Sequence, residues 1–477
     1  MNRTIQIKDI AVLNRETYRK DELPEMLYYL DTANFTKNNI KSLQKLNINK
    51  DKIPSRAQRK IKENTILYST VRPNQEHHGI FEREIENIIV STGFTTIDIV
   101  DEEVNSKYLY YLLIQKHLTN YLHSLAQNSV SSYPSISPND LGSLEFKILD
   151  LRSQKQIAKV LSDLDAKIEV NNQINAKLEA MAKTLYEYWF VQFDFPFDFA
   201  QGKPSLNGKP YKSSGGKMVY NEELKREIPD GWEVKTIKDL IKSDKNGDWG
   251  KAERYKNYVK KVNCIRGTDL NGLNGQGNTN SPTRFILEKN EHKLLNSGDF
   301  IIEISGGSPT QSTGRIGMVI DETFERFDND LICSNFCRAI SLNDEYYTFN
   351  FFQFWNRIYK AGVLFGWEGK TSGIKNFLFD SFISKYKIAV PNNDLTKAYY
   401  NAVKPYYSKI QKNLVENKKL AELRDWLLPM LMNGQVTVGE NPNIDLAQEA
   451  KKQGRNIEEM DENIGIVAEE KDEYNSK

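Results

Sequence analysis

The sequence predicts a mixed α/β (α+β) fold that is built twice, each time as an α/β unit followed by a long helix. Three observations support this internal pseudo-twofold repeat. Apolar residues recur at spacings of four and three through 151–195, which contains no proline or glycine. A second segment of this kind occupies 392–434, and several short motifs recur at an offset of 242 residues. A seam with this period favours another helix lying along it, so we expect the two helices to form an antiparallel coiled coil.

The first long helix is expected to begin at Ser153, which forms a capping box with Gln156. Its apolar seam is interrupted at the centre by two asparagines, and the same interruption recurs 242 residues later. Buried polar groups at a coiled-coil seam fix its register, and antiparallel helices would bring their midpoints together. The predicted register residues are Asn171, Asn175, Asn413 and Asn417. The alternative is two unrelated surface helices. Pro405 is expected to kink the second helix or delay its first turns.

The helices and composition divide the chain into six segments. Residues 1–150 and 229–391 are the two α/β units, and 151–195 and 392–434 are the helices. Residues 196–228 are rich in Gly, Pro and Ser, which is typical of a linker. Residues 435–477 form an acidic tail that we expect to be disordered.

Net charge is +1 for the 477 residues, but the charge is unevenly distributed. Residues 440–477 contain 11 acidic and 5 basic side chains, which leaves the rest of the chain at +7. That surplus is a mild indication of an anionic partner. The chain has no apolar run long enough to span a membrane and no apolar signal core. Three cysteines do not make a disulfide framework, so we expect a cytoplasmic location and buried thiols at Cys333 and Cys337.

Motifs for catalysis are missing. Gly369, Lys370 and Thr371 have the end of a phosphate-binding loop, but Leu364 occupies the position of its first glycine. The sequence has no HExxH motif, and its five histidines are scattered. We therefore predict no catalytic residue and no metal site on this chain.

Polar loops of similar composition occur in both units. Glycine lets backbone N–H groups approach a phosphate, Ser and Thr add donors, and Arg, Asn and Gln can read base edges. In the first unit the candidate DNA-binding residues are Arg56, Arg59, Lys60, Arg72, Asn74, Gln75, Ser132 and Tyr133. In the second unit they are Arg284, Ser305, Gly306, Gly307, Ser308, Thr310, Gln311, Arg315, Lys370, Thr371 and Ser372. Two such loops in a repeated unit indicate DNA more strongly than one loop would.

Several stretches resemble the specificity (S) subunits of type I restriction–modification systems. The similarity is strongest at 153–190, at 196–232 and at 420–435, which reads LAELRDWLLPMLMNGQ. The resemblance implies two target-recognition domains, each reading one half of a split site in double-stranded DNA. It also implies that the helices are a spacer that docks two methyltransferase (M) subunits, with restriction (R) subunits joining the complex. Adenine methylation and ATP-driven cleavage would belong to those partners, together with S-adenosylmethionine, ATP and Mg, so this chain would have no cofactor. The tail after Gln435 has no assigned role in that pattern.

Aromatic and arginine side chains near the helix ends are candidate partner contacts, because such residues commonly anchor protein interfaces. They are Tyr186, Trp189, Arg424 and Trp426. The competing interpretation is that the two tryptophans cap the core of the chain itself. Two other functions stay open at this stage. One is a coiled-coil scaffold that joins two protein-binding domains without contacting DNA, and the other is a self-contained enzyme, which the missing motifs disfavour.

Overall fold

The computed structural model describes residues 3–19, 22–82, 85–128, 134–277, 279–306, 310–371 and 374–438. The chain forms two compact units. The first contains residues 1–166 together with 420–477, and the second contains residues 167–419. Both long helices therefore contribute one part to each unit.

In its described residues the first unit is built from short strands and four short α-helices. Its strands are β1 (Arg3–Gln6), β2 (Ala11–Leu13), β3 (Met26–Leu30), β4 (Phe35–Thr36), β5 (Asn39–Ile40), β6 (Gln44–Asn47), β7 (Ala57–Arg59), β8 (Ile66–Ser69), β9 (His78–Ile80), β10 (Ile88–Ser91), β11 (Phe94–Ile99) and β12 (Glu145–Ile148). Its helices are α1 (Ile7–Ile10), α2 (Ser106–Leu113), α3 (Lys116–Gln127) and α4 (Pro138–Gly142). The long helix α5 (Leu151–Tyr186) follows and continues into the second unit.

Two four-stranded sheets form the framework of the first unit. One has the order β2-β11-β8-β9 and is antiparallel throughout. The other has the order β6-β3-β10-β7, in which β3 and β10 are parallel. The strands β8 and β10 are buried along their whole length, as expected from runs of Ile, Leu and Val between covered faces.

The second unit continues the numbering. Its strands are β13 (Pro196–Asp198), β14 (Lys203–Pro204), β15 (Lys209–Pro210), β16 (Met218–Asn221), β17 (Arg226–Pro229), β18 (Glu233–Thr236), β19 (Ile241–Asn246), β20 (Tyr258–Ile265), β21 (Thr283–Leu287), β22 (Phe300–Glu303), β23 (Ser305–Gly306), β24 (Ile316–Met318), β25 (Leu331–Cys333), β26 (Cys337–Leu342), β27 (Glu368–Thr371), β28 (Ile374–Phe377) and β29 (Lys387–Val390). Its helices are α6 (Ile237–Leu240), α7 (Leu270–Leu273), α8 (Asp321–Phe324), α9 (Thr348–Lys360), α10 (Phe379–Lys385) and the long helix α11 (Asn393–Met432).

The pairing of strands repeats between the units. The antiparallel sheet β19-β26-β22-β24 has the connectivity of β2-β11-β8-β9. The parallel pair β20 and β25 corresponds to β3 and β10. The outer pair β18–β29 corresponds to β1–β12. The predicted internal repeat is therefore confirmed at the level of topology.

The long helices pack antiparallel in both units. In the first unit Arg424 Nη1 donates to Asp165 Oδ1 (2.6 Å), and Leu427 packs in the same core as Leu161. In the second unit the Tyr399 hydroxyl donates to the backbone oxygen of Ala182 (3.1 Å). Higher numbers on α11 thus meet lower numbers on α5, as the seam predicts.

The four seam asparagines contact one another across the helices. Asn171 Nδ2 donates to Asn417 Oδ1 (2.9 Å), and Asn413 Nδ2 donates to Asn175 Oδ1 (2.8 Å). Asn417 Nδ2 in turn donates to Asn172 Oδ1 (2.9 Å). These bonds pair amide with amide and offset part of the desolvation cost, while Asn175 Nδ2 and Asn413 Oδ1 have no partner among the described residues.

Three expectations about the helices and the linker need correction. Helix α5 begins at Leu151, where Asp150 accepts both the backbone N–H (3.1 Å) and the hydroxyl (2.8 Å) of Ser153. These two bonds lower the pKa of Asp150, so Asp150 rather than Ser153 is the cap. Helix α11 continues through Pro405 without a break. Proline has no N–H to donate to the carbonyl of Asn401, but both residues are on the exposed side of the helix, where water can bond to that carbonyl. Residues 196–228 contain the five strands β13–β17.

Aromatic packing explains why the predicted linker is structured. Tyr211 stacks on Phe195 with ring centroids 4.6 Å apart, and Phe195 also stacks on Trp232 (6.0 Å). Asp194 accepts the backbone N–H (2.7 Å) and the hydroxyl (2.6 Å) of Ser213, which closes the segment on itself. The alternating aromatic residues of this stretch therefore pack into the core of the second unit, which also contains Ile237 and Phe300.

The three cysteines are free and buried. Burial raises the pKa of the Cys264 and Cys337 thiols to about 12, which makes them poor nucleophiles. Among the described residues no group of three or more His, Cys, Asp or Glu side chains is arranged to hold a metal ion. Of the helices within the described ranges, none is both long and apolar enough to cross a membrane.

Candidate nucleic-acid interface

In the first unit three segments meet at one end of the antiparallel sheet. We call residues 70–77, 92–93 and 134–136 the first loop junction. The backbone N–H of Thr70 donates to the oxygen of Gly93 (3.0 Å), and the N–H of Ile136 donates to the oxygen of Thr70 (2.9 Å). Residue 70 directly follows β8, so the sheet fixes the start of the loop.

The second unit contains the same arrangement. The second loop junction consists of residues 304–306, 310–315, 335–336 and 374–377. The N–H of Ile304, which follows β22, donates to the oxygen of Phe336 (2.8 Å), and the N–H of Phe377 donates to the oxygen of Ile304 (2.8 Å). Both polar loops predicted from composition therefore occupy the same position on equivalent sheets.

At the first loop junction the predicted side chains are presented to solvent. Arg72 (φ 48°) and Glu76 (φ 55°) are both left-handed and bracket the short turn that exposes Asn74 and Gln75. Left-handed conformations are uncommon in residues other than glycine, and they occur more often at functional sites than elsewhere. Arg56 lies beside the first loop junction because its backbone oxygen accepts the N–H of Thr92 (2.8 Å), and its side chain is exposed.

Two further predicted cations lie at β7. Arg59 ends that strand, and its Nε is buried without a hydrogen-bond partner among the described residues. Burial lowers the pKa of Arg59. Lys60 lies over the ring of Tyr18 (4.6 Å) and is 3.8 Å from Glu22. Arg59 is partly buried and Lys60 is partly engaged within the chain, so both are weaker candidates than the exposed Arg56.

At the second loop junction Thr310 and Gln311 are exposed. Ser305 and Gly306 form β23, where Ser305 Oγ donates to Asn376 Oδ1 (2.5 Å). Lys375 Nζ donates to the oxygen of Gln311 (3.3 Å) and pairs with Glu368 (3.2 Å). The lysine thus ties the loop to the β27–β28 hairpin.

Arg315 has a role within the chain that its sequence position does not indicate. Its Nε donates to Glu303 Oε2 (2.9 Å) and its Nη2 to Glu303 Oε1 (2.6 Å). The two side chains are 15% and 4% exposed. These bonds raise the pKa of the Arg315 guanidinium. Within the chain Arg315 neutralises a buried carboxylate at the base of the loop, and its contact with DNA stays a prediction.

Arg284 lies in β21 and is brought beside the second loop junction by an aromatic stack. Its guanidinium lies 4.2 Å from the ring centroid of Trp249, and its Nε donates to the backbone oxygen of Trp249 (2.9 Å). The neighbouring residue, Asp248, donates its N–H to the oxygen of Cys333 (2.9 Å), next to the turn that carries Phe336. Trp249 is 37% and Phe336 51% exposed.

Sequence reasoning missed Trp249 and Phe336 as side chains of this surface. The signal for Trp249 was available, because a tryptophan between Gly247 and Gly250 in a polar loop is rarely part of a core. Of the remaining predicted residues, Ser132, Tyr133, Gly307, Ser308 and Ser372 lie outside the described residues. Lys370 and Thr371 are described only as backbone, within β27.

The predicted partner contacts at the helix ends divide into two groups. Tyr186 and Trp189 are buried in the core of the second unit, where Trp189 packs on Tyr399 at 5.8 Å. Their prediction as outer-face contacts is wrong, and the competing interpretation holds for Trp189. Arg424 is partly exposed and bonded to Asp165, and Trp426 is half-buried against the core of the first unit.

A chain that repeats one α/β unit with one loop junction, and whose two long helices pair antiparallel, has the build of a recognition subunit with two reading units. The comparisons place it more narrowly. Residues 2–180 and 229–423 match the family described as type I restriction modification DNA specificity domain, and the chain belongs to that family.

The relatives that the chain resembles in sequence are also specificity subunits of type I restriction enzymes. It is 25% identical over 433 residues to the type I restriction enzyme HindI specificity subunit of Haemophilus influenzae, covering 80% of this chain and 89% of that one. It is 27% identical over 365 residues to the MjaIX specificity subunit of Methanocaldococcus jannaschii, covering 74% of each. The crystal structure of the type I restriction–modification S subunit from M. genitalium has a similar fold, with a TM-score of 0.52, 16% identity, and coverage of 90% of this chain and 96% of that one. The chain is a specificity subunit, and its role is DNA sequence specificity in a type I restriction–modification system.

Proposed function

We propose that each unit reads one half of a bipartite DNA site through its loop junction. The observation that carries this proposal is that Thr70 and Ile304 make the same two backbone bonds at equivalent sheet positions. A shared framework with different side chains is what two readers of different half-sites require. Arg, Asn and Gln provide the paired donors and acceptors for base edges in the major groove.

In the first unit the base-reading side chains would be Arg56, Arg72, Asn74 and Gln75. In the second, Gln311 is the exposed side chain best suited to a base edge, and Arg284 stacked on Trp249 is held in a planar orientation that suits either a base or a phosphate. Lys370 would contact a phosphate, and contacts of this kind position a protein on the duplex without reading its sequence.

The remaining activities would belong to partner subunits. Two M subunits would dock on the paired helices and supply adenine methylation with S-adenosylmethionine. R subunits would join the complex and supply cleavage with ATP and Mg, in the cytoplasm. The part-exposed Arg424 and Trp426 stay candidates for M-subunit contacts, since an interface anchor must be accessible before assembly.

The direct experiment is to map methylated adenines in the host genome with and without this gene. A split motif that disappears on deletion supports the proposal, and an unchanged methylome contradicts it. A salt titration of duplex binding by the isolated chain separates it from a protein-only scaffold. The logarithm of the DNA-binding constant should fall linearly with the logarithm of the salt concentration because counterions are released. The slope should be about −0.9 per phosphate contact.

A further inference from the structure

The second unit contains a cavity of about 470 Å³ between the end of α5, β17, α9 and β29. This volume lies within the range of small-molecule sites, about 300–1,000 Å³. Its walls are largely aromatic, and they include Phe190, Trp232, Phe354, Trp367 and Tyr386. The Phe354 and Tyr386 rings are 6.2 Å apart, as are those of Phe190 and Trp232. Both ring pairs are tilted, and together they line the cavity with aromatic side chains against which a planar base can pack.

One polar group lining the cavity has no partner. Asn350 is 2% exposed, and its Nδ2 makes no hydrogen bond with the described residues. A buried donor left unpaired is uncommon, and it is costly because it loses its bonds to water. A ligand with an acceptor at its inner end would satisfy it.

The rim of the cavity is positively charged. Arg226, Arg357, Lys385 and Lys387 lie around it, with Glu223 as the one carboxylate in the lining. Glu223 is bonded to Lys387 (3.0 Å), and Arg357 is 3.7 Å from Glu187. No carboxylate of the described residues pairs with Arg226 or Lys385, and Arg226 instead lies 5.6 Å from the ring centroid of Phe193. These two exposed cations are available to an anion.

We propose that this cavity binds a nucleotide, with its base among the aromatic side chains and its phosphate at the rim. Every base has a π-face for stacking, and ring nitrogens and carbonyl oxygens are acceptors for Asn350 Nδ2. The arginine and lysine side chains at the rim match a phosphate. An aromatic side chain of a partner protein would also fit the cavity. A phenylalanine, however, would leave the Asn350 amide without an acceptor and Arg226 and Lys385 without an anion.

The same chemistry has two sources, a free nucleotide or a nucleotide within single-stranded nucleic acid. The site is separate from the base-reading side chains assigned to the second loop junction, so it goes beyond the proposed function. Trp367, which precedes the β27–β28 hairpin, is its nearest connection to that junction, because its backbone oxygen accepts the N–H of Leu378 (2.8 Å).

The test uses the full-length chain without partner subunits or duplex DNA. Binding of adenosine monophosphate and of a five-nucleotide single strand is measured by calorimetry. One molecule of probe should bind per chain. Asn350→Leu and Arg226→Gln should each weaken binding by about tenfold or more, because each removes a hydrogen bond or an ionic contact to the probe. Lys289→Gln, an exposed cation elsewhere in the same unit, is the control and should leave binding unchanged.

Binding of the monophosphate alone assigns the site to free nucleotides, and binding of the strand with competition between the probes assigns it to single-stranded nucleic acid. Arg226 is exposed, so Arg226→Gln keeps the experiment decisive even if Asn350→Leu lowers the unfolding temperature. The proposal is overturned if neither probe binds, if binding survives both variants, or if only an acidic aromatic peptide binds. None of these results depends on which DNA site the chain reads.

Discussion

At the scale of single residues, Arg315 shows how a charged side chain in a polar loop can belong to the framework. Its bidentate bonds to Glu303 place an ion pair beneath the second loop junction. Removing one partner leaves the other charge buried, which typically costs about 3–5 kcal/mol. We expect Arg315→Ala to lower the free energy of unfolding by about 3 kcal/mol, as measured by urea denaturation.

The double variant Arg315→Met, Glu303→Leu is the matched control, since it removes both charges. It should recover most of that loss, because an apolar pair of similar volume carries no unpaired charge. An Arg315→Ala protein with unchanged stability but altered base preference would show that this arginine contacts DNA instead of supporting the framework.

Gln311 is the contrasting residue, exposed on the same loop. Gln311→Ala should relax one base position in one half of the recognised motif, at a cost of about 1–3 kcal/mol if the amide makes a bidentate contact. Competition binding with duplexes that differ at single positions measures this. Lys370→Ala, at a predicted phosphate contact, should instead weaken binding to all sequences and reduce the salt slope by about one unit. The same loss on every duplex for Gln311→Ala would remove its role in base reading.

His78 gives the first unit a pH-dependent stability. Burial lowers its pKa to about 4, and its ring stacks on Tyr68 with centroids 5.7 Å apart. The unfolded chain takes up a proton near the ordinary value of about 6.5, which the folded chain does not. Stability should therefore fall as the pH drops from about 6.5 to about 4, by about 3 kcal/mol in total.

The check compares unfolding of the wild type and His78→Gln across that pH range. The difference between the two profiles isolates the histidine from the carboxylates that titrate nearby. The variant should have the flatter profile. Parallel profiles would show that the histidine is protonated in the folded protein as well.

At the scale of elements, the long helices were the most predictable part of the molecule. The residues that the apolar period, the asparagines and the repeat offset assign to the seam do contact one another in the structure. This was predictable because a seam between two helices depends on the spacing of nearby residues in the sequence. Their ends were less predictable: Asp150 and Ser153 can both cap, and the choice depends on where the preceding strand β12 stops. The strands and aromatic packing of 196–228 were hidden by its glycines and prolines, which are typical of a linker.

The loop junctions were only partly predictable, for a related physical reason. Composition pointed to the loops after β8 and β22, but hydrogen bonding between distant segments decides which side chains face solvent. Arg315 and Glu303 are twelve residues apart and meet only when β22 and β24 pair. Trp249 reaches the same surface through the turn at Cys333, which no local pattern indicates.

Asn175 and Asn413 make a testable pair within the helices. Asn175→Leu should keep α5 helical but leave the Asn413 amide buried without its partner, which costs about 1–3 kcal/mol. Adding Asn413→Leu should restore stability while loosening the register, since the apolar seam then fits more than one alignment. Unfolding measurements give the first result, and altered assembly with M subunits gives the second. A double variant as unstable as the single one would show that the amides do not act as a pair.

At the scale of the whole molecule, the central claim is a division of labour between two repeated units. The chain has net charge +1, so its DNA binding cannot rest on overall charge and must rest on where the cations lie. The first loop junction exposes Arg72, Asn74 and Gln75, and the second exposes Thr310 and Gln311, on equivalent frameworks. Each unit should therefore be exchangeable without disturbing what the other reads.

The most direct test replaces residues 229–391 with the corresponding segment of another family member and maps the methylated motif of the assembled complex. One half of the motif should change to that of the donor, while the other half stays as in the wild type. The unchanged half confirms that the exchanged chain still folds and assembles. A swap that alters both halves of the motif, or neither, would contradict the account.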